Sequence, residues 1–206
     1  MVSHARSPYA RAIGDRMTLL HPTLRRYFDG VPDGHVGIGE GVFDRIGARY
    51  RWMRFLLIPL QRRHVVFAGA AADVPFAVRN TIRDGRARAE RTLLLGDRSW
   101  TMVDAVSFVG PSRIVDVIGL PETVAASFDV SVEEGALRLT SRSAGIRIGR
   151  FRLTLPPALS PRVTLTERFD EATARQRVDL RITLPLLGCV YEYTGGFDYR
   201  IEEDRD

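Results

Sequence analysis

Two carboxylates, an arginine and an amide stand at strand positions whose neighbours on the same parity are apolar. Asp104 shares its parity with Trp100, Met102, Val106 and Phe108, and Glu167 with Val163, Leu165 and Phe169. Arg91 goes with Leu93 and Leu95, and Asn80 with Phe76, Val78 and Ile82. An ionisable group facing a dry interior has to be paired, neutralised or used, because an isolated buried charge is too costly to keep. Two such acids suit general acid and base work, and an arginine beside a carboxylate suits holding the polar end of an apolar ligand. Tyr191 and Tyr193, on one face of the last strand, add aromatic walls with hydroxyls. The expected ligand-binding cluster is therefore Arg91, Asp104, Glu167, Asn80, Tyr191 and Tyr193. The competing reading is a buried ion-pair network that positions strands and binds nothing. Asp116 is ambiguous, since Ile114 and Ile118 lie on one parity and Val115 and Val117 on the other.

Other chemistries find no residues to carry them. All 30 basic residues are arginine, which removes Schiff-base chemistry, pyridoxal phosphate attachment and the lysine-dependent nucleotide sites. His4, His21, His35 and His64 show no paired spacing for a metal, so no metal site and no cofactor are expected. Gly37-Ile38-Gly39-Glu40-Gly41 departs from the dinucleotide fingerprint and reads as a bulged strand, and Gly110-Pro111-Ser112 lacks the glycine of a nucleophile elbow. The net charge of +5 is spread as arginines among 25 acids, without a basic block or aromatic RNA-binding motif, so nucleic acid is not an expected partner. Cys189 stands alone and reads as a small buried hydrophobe.

The elements that must position the cluster are strands. Phe128, Val130 and Val132 alternate with Ser127, Asp129 and Ser131; Val178, Leu180, Ile182 and Leu184 alternate with Arg177, Asp179, Arg181 and Thr183. Period-two patterning from about Val65 to Ile201 predicts antiparallel sheet with one dry face. Turn signals divide it: Asp84-Gly85, Gly96-Asp97, Gly110-Pro111, Leu120-Pro121, Glu134-Gly135, Pro156-Pro157 and Asp170 to Thr173. Ahead of the sheet, Ser7-Pro8-Tyr9 opens a short helix to Arg16, and a second runs from His21-Pro22 to Asp29-Gly30. Gly34 to Ile46 reads as the first strand and Gly47 to Leu57 as either helix or strand. The arginines and aromatics from Arg49 to Phe55 resemble an interfacial anchor, but the favoured reading is an amphipathic cap on one end of the sheet. Peripheral membrane contact stays open as a partner; the apolar cluster Phe55 to Leu60, broken by Pro59, is too short to span a bilayer. Cys189 to Glu202 is a long closing strand, with Gly195-Gly196 as a bulge or bend.

The fold class expected is mainly β: a curved or closed, barrel-like antiparallel sheet with two or three short N-terminal helices, residues 1–206 forming one domain with a helical segment at 7–30. A helix-grip fold ranks lower because the chain ends in strand. The N-terminal residues lack a long apolar stretch, which reads as a cytoplasmic protein.

The chain resembles the bacterial family known as domain of unknown function 4166. The similarity runs through Ser7-Pro8-Tyr9, His21-Pro22 with Leu24-Arg25-Arg26, Gly41-Val42-Phe43, Val74-Pro75-Phe76, Arg91-Thr92, Asp104-Ala105, Arg113-Ile114-Val115-Asp116 with Gly119, and Leu187-Gly188 through Phe197. It departs at Glu90, where an aromatic often precedes the arginine–threonine pair. The resemblance implies a companion of short-chain or saccharopine-type dehydrogenase modules, supporting small-molecule or lipid metabolism. The leading expectation is non-catalytic binding of an apolar small molecule or lipid in a barrel cavity. The alternatives are an accessory domain for a dehydrogenase-type partner, and an acid–base enzyme using Asp104 and Glu167.

Overall fold

The computed structural model describes residues 6–148, 151–154 and 160–204. Two short helices, α1 (Pro8–Ile13) and α2 (Pro22–Asp29), flank a 3-10 turn over Gly14–Leu19. The Ser7 hydroxyl caps α1 by accepting from the Ala10 amide at 3.0 Å, and Pro8 fills the first helical position, where a missing N–H costs nothing. The first helix is shorter than its sequence pattern suggests because Gly14, at φ 61, ends the α geometry. Then come β1 (His35–Ala48), α3 (Met53–Gln61), β2 (Ala70–Arg83), β3 (Arg86–Leu95), β4 (Arg98–Gly110), β5 (Arg113–Ile118) and β6 (Val124–Glu133). β7 (Ala136–Ile148), β8 (Phe151–Thr154), β9 (Arg162–Asp170), β10 (Arg175–Leu184) and β11 (Gly188–Glu203) complete the chain. The stretch left open between helix and strand divides at a turn, with strand to Ala48 and helix from Met53.

Ten strands close into an antiparallel barrel in the order β1 to β7, then β9, β10 and β11 back to β1; among the described residues β8 pairs only with β7. The 16-residue β11 makes the closure by pairing with β1 on one edge and β10 on the other. Tight hairpins join neighbours where two consecutive residues hold positive φ, as at Asp84-Gly85 and Glu134-Gly135, matching the strand twist. Pro156-Pro157 lies outside the described residues. Side chains alternate as the period of two requires. Outside, arginines and acids face one another across strands, as in Arg45–Glu192 at 3.2 Å, Arg142–Asp129 at 3.1 Å and Arg200–Glu40 at 2.8 Å.

The register gives the barrel two distinct ends. α1 and α2 cover one, pressing Ile13, Leu24 and Phe28 onto Val106, Ile114, Phe128 and Leu137. α3, connecting β1 to β2, lies at the other. The bulge falls in β1 between Phe43 and Arg45, opposite Gly195, where a side chain would meet the Val42 carbonyl. The Gly37–Gly41 repeat gives room instead: a Cβ on Gly41 would stand 2.2 Å from the Gly196 carbonyl oxygen and one on Gly37 would overlap the Tyr199 ring. Gly41→Ala is expected to cost about 1–3 kcal/mol in urea unfolding, as overpacking does, whereas Gly96→Ala, with open space around it and only its positive φ to strain, is expected to cost less. Cys189 is half-buried, not buried, because it opens β11 at the rim. Among the described residues no helix is long and apolar enough to cross a membrane.

Candidate functional site

Between the helical plug and α3 the barrel encloses a cavity of about 330 Å³. Ten strands leave more width than side chains fill, which is the condition for a ligand-sized interior. Its walls are chiefly apolar, with Phe43, Ile46, Leu93, Leu165, Leu180 and Ile182 among them, and α3 closes it with Met53, Leu57 and Leu60. Those three fall at i, i+4 and i+7, one face of a helix.

Three acids and a guanidinium break the apolar wall: Asp104, Asp116, Glu167 and Arg91. Arg91 faces Met102 across β3 and β4, so Asp104, two residues further on the same face, is its diagonal neighbour. The Arg91 guanidinium donates from Nη1 to Asp104 Oδ1 in a closed ion pair. Asp104 in turn faces Ile118, and Asp116 is the diagonal neighbour on β5. The three side chains thus form a slanted polar line across adjacent strands. Burial pushes Asp104 above the usual carboxylate range, with the Arg91 charge opposing. Asp116 is pushed well above that range, first by burial and then by the Asp104 charge, and its Oδ1 is buried without a hydrogen-bond partner. The carboxyl meets the Val117 backbone, so one oxygen is held and the other is free; favoured in its neutral form, such a group can donate to an acceptor placed in the cavity.

Glu167 comes from β9 on the far wall and is 6% exposed. Burial raises it to about 7, against the hydrogen bond from Gln176 Nε2 and the charge of Arg91. Gln176, 1% exposed, has its own Oε1 unpartnered. With its amide turned, that oxygen would accept from protonated Glu167.

Five of the six residues expected to share a site do line this one cavity: Arg91, Asp104, Glu167, Tyr191 and Tyr193. Burial raises both tyrosines, so they serve as neutral hydroxyls. Asn80 does not line it. Its strand carries it toward the helical end, into a smaller adjoining pocket of about 40 Å³ beneath α1 and α2, which it lines together with Tyr27 and Tyr199. Asp116, Tyr9 and Tyr27 were missing from the expected set. The parity of Asp116 with Ile114 and Ile118 was available but undecided, whereas Tyr9 and Tyr27 reach the interior from helices, to which strand parity does not apply. No group of three or more His, Cys, Asp and Glu stands together as a metal site among the described residues.

Comparison with known proteins adds a family and a relative. The family model described as "Domain of unknown function (DUF4166)" matches residues 20–197. The chain is 25% identical over 198 residues to a Bacillus subtilis (strain 168) protein described as "Uncharacterized protein YndH", covering 91% of this chain and 93% of that protein. No solved structure gives a significant match.

Proposed function

The chain belongs to the family described as domain of unknown function DUF4166, and we propose that the barrel of this member binds one apolar small molecule or lipid without transforming it. The observation that carries the reading is the cavity of about 330 Å³, apolar in its walls and holding the unpartnered Oδ1 of Asp116. Its size falls in the range of small-molecule sites, and a mostly apolar wall with a few convergent polar groups is how such sites combine affinity with orientation. The ligand that fits is a largely hydrocarbon molecule with a neutral hydrogen-bond acceptor, such as a carbonyl or ether oxygen, placed against Asp116 and the Arg91–Asp104 pair. A free carboxylate fits less well, because Arg91 is already neutralised by Asp104.

Titration with the neutral fluorophore N-phenyl-1-naphthylamine tests this. Saturable binding at one site per chain is expected, weakened at least tenfold in Ala126→Phe, whose ring would occupy the cavity that Ala126 lines. Ala144→Phe, from the next strand, guards against a folding defect in the first variant. Absence of saturable binding, or binding unchanged in both folded variants, would overturn the reading.

An acid–base enzyme draws support from the position of Glu167 in the apolar cavity, where burial raises it to about 7, near the range in which a general base works best. It ranks second because Asp104, the acid expected to work with Glu167, is committed to Arg91.

A further inference from the structure

We propose that the α3 end of the barrel docks on an anionic lipid bilayer, seating the outer face of α3 and the turn at Leu186 and Leu187 among the acyl chains. The proposal stands on surface features and holds whether or not the cavity is filled. An amphipathic helix capping a core turns one apolar face inward and a polar face to water. α3 does not. Its inner face lines the cavity, yet Trp52, Phe55 and Leu56 on the other side are 50%, 77% and 62% exposed. Neighbouring loops extend the patch. The Tyr50 hydroxyl donates to the Leu187 carbonyl at 3.2 Å, bringing Leu186, fully exposed, beside the start of α3. On the opposite flank the Leu120 amide donates to the Arg63 carbonyl at 2.8 Å, and Leu120 is 64% exposed. Of the ten exposed large hydrophobic side chains among the described residues, only Leu19 and Val109 lie toward the helical end. Scattered exposed apolar residues are ordinary, but a group gathered on one end marks an interaction surface.

Charge selects the occupant. No acid occurs between Asp44 and Asp73, whereas Arg49, Arg51, Arg54, Arg62 and Arg63 lie in that stretch, all exposed. None of the five has a salt-bridge partner among the described residues, although arginines on the barrel's flank are paired with carboxylates across strands. Unneutralised arginines bracketing an aromatic and aliphatic patch are the composition that lies in a bilayer interface and is attracted to anionic headgroups. Two sides of one short element, one facing the cavity and one facing the bilayer, would also put the ligand's source next to its container.

Vesicle flotation at low salt tests the proposal, using vesicles of phosphatidylcholine alone and of phosphatidylcholine with about one-third phosphatidylglycerol. The protein is expected to float with the anionic vesicles and to lose most of that binding in high salt. Phe55→Ser/Leu56→Ser should weaken partitioning at least tenfold. Arg49→Gln/Arg51→Gln/Arg54→Gln should weaken it on the order of a hundredfold, at roughly fivefold per arginine. These positions are exposed, so circular dichroism should show both variants folded. No binding to anionic vesicles, or binding indifferent to both sets of substitutions, overturns the proposal. So does a result in which Phe55→Ser/Leu56→Ser instead dissolves a dimer or releases a co-purifying dehydrogenase-type protein while vesicles bind nothing. Fluorophore binding by the cavity is read out separately, so failure at the membrane leaves the cavity reading intact.

Discussion

Arg91→Met is expected to lower the free energy of unfolding by about 3–5 kcal/mol at neutral pH, the cost of leaving one partner of a buried ion pair alone. The guanidinium cannot shed its proton, so the interior that holds it needs one negative charge. Asp104, 5% exposed and in direct contact, supplies it. Methionine keeps much of the volume and removes the charge, leaving Asp104 to take up a proton or to stay charged in an apolar wall. The double variant Arg91→Met/Asp104→Leu should recover most of the loss, because replacing both partners by apolar groups removes the desolvation penalty along with the attraction. Urea denaturation of the wild type and the two variants measures this. A loss below about 1 kcal/mol would mean that the pair behaves as an exposed surface bridge.

Electroneutrality also explains the second expected result. One cation balances one acid, so Asp116 and Glu167 are favoured uncharged. Glu167 has an ordinary value of 4.5 and is raised to about 7 in the folded protein. The folded state therefore holds the proton more tightly. The stabilisation is complete below about pH 4.5 and is lost as pH rises through about 7. At about 1.4 kcal/mol for each pH unit, the window corresponds to about 3 kcal/mol. Glu167→Gln, which cannot ionise and can still accept from Gln176, should flatten this part of the profile and make the protein more stable than wild type above pH 7 by up to that amount. Asp104 and Asp116 are raised in the same sense and leave a residual slope in the variant. Unfolding measured at several pH values in both proteins separates the contributions. A difference in stability between Glu167→Gln and wild type that does not grow between about pH 4.5 and 7 would contradict the assignment.

Strand parity carried the interior of this protein a long way. It placed Arg91, Asp104 and Glu167 on inward faces of three different strands because an alternating strand has only two faces, and the apolar one had to be inside. A curved or closed antiparallel sheet was equally legible, and the length of β11 pointed toward closure; that the sheet closes fully is shown by the pairing of β6 with β7 and of β11 with β1. Parity failed where its premises fail. It could not say how far along the barrel axis a residue sits, so Asn80, correctly inward, lands beneath the helices and not in the cavity. It could not decide Asp116, flanked by apolar residues on both parities because the outer face of β5 is partly covered. It gave no information on Tyr9 and Tyr27, whose inward direction depends on how two short helices settle on the barrel. The amphipathic expectation for the segment after β1 captured the inner face of α3 and missed that its outer face is also apolar.

The account rests most on the claim that the interior is a ligand site and not spare volume around an ion pair. Native mass spectrometry of freshly purified protein addresses it directly. The prediction is a retained apolar molecule at one per chain in wild type, absent from Ala126→Phe. Bare protein from every preparation, together with an empty lipid extract and no uptake of added fluorophore, would contradict it and leave Arg91, Asp104 and Glu167 as structural groups alone.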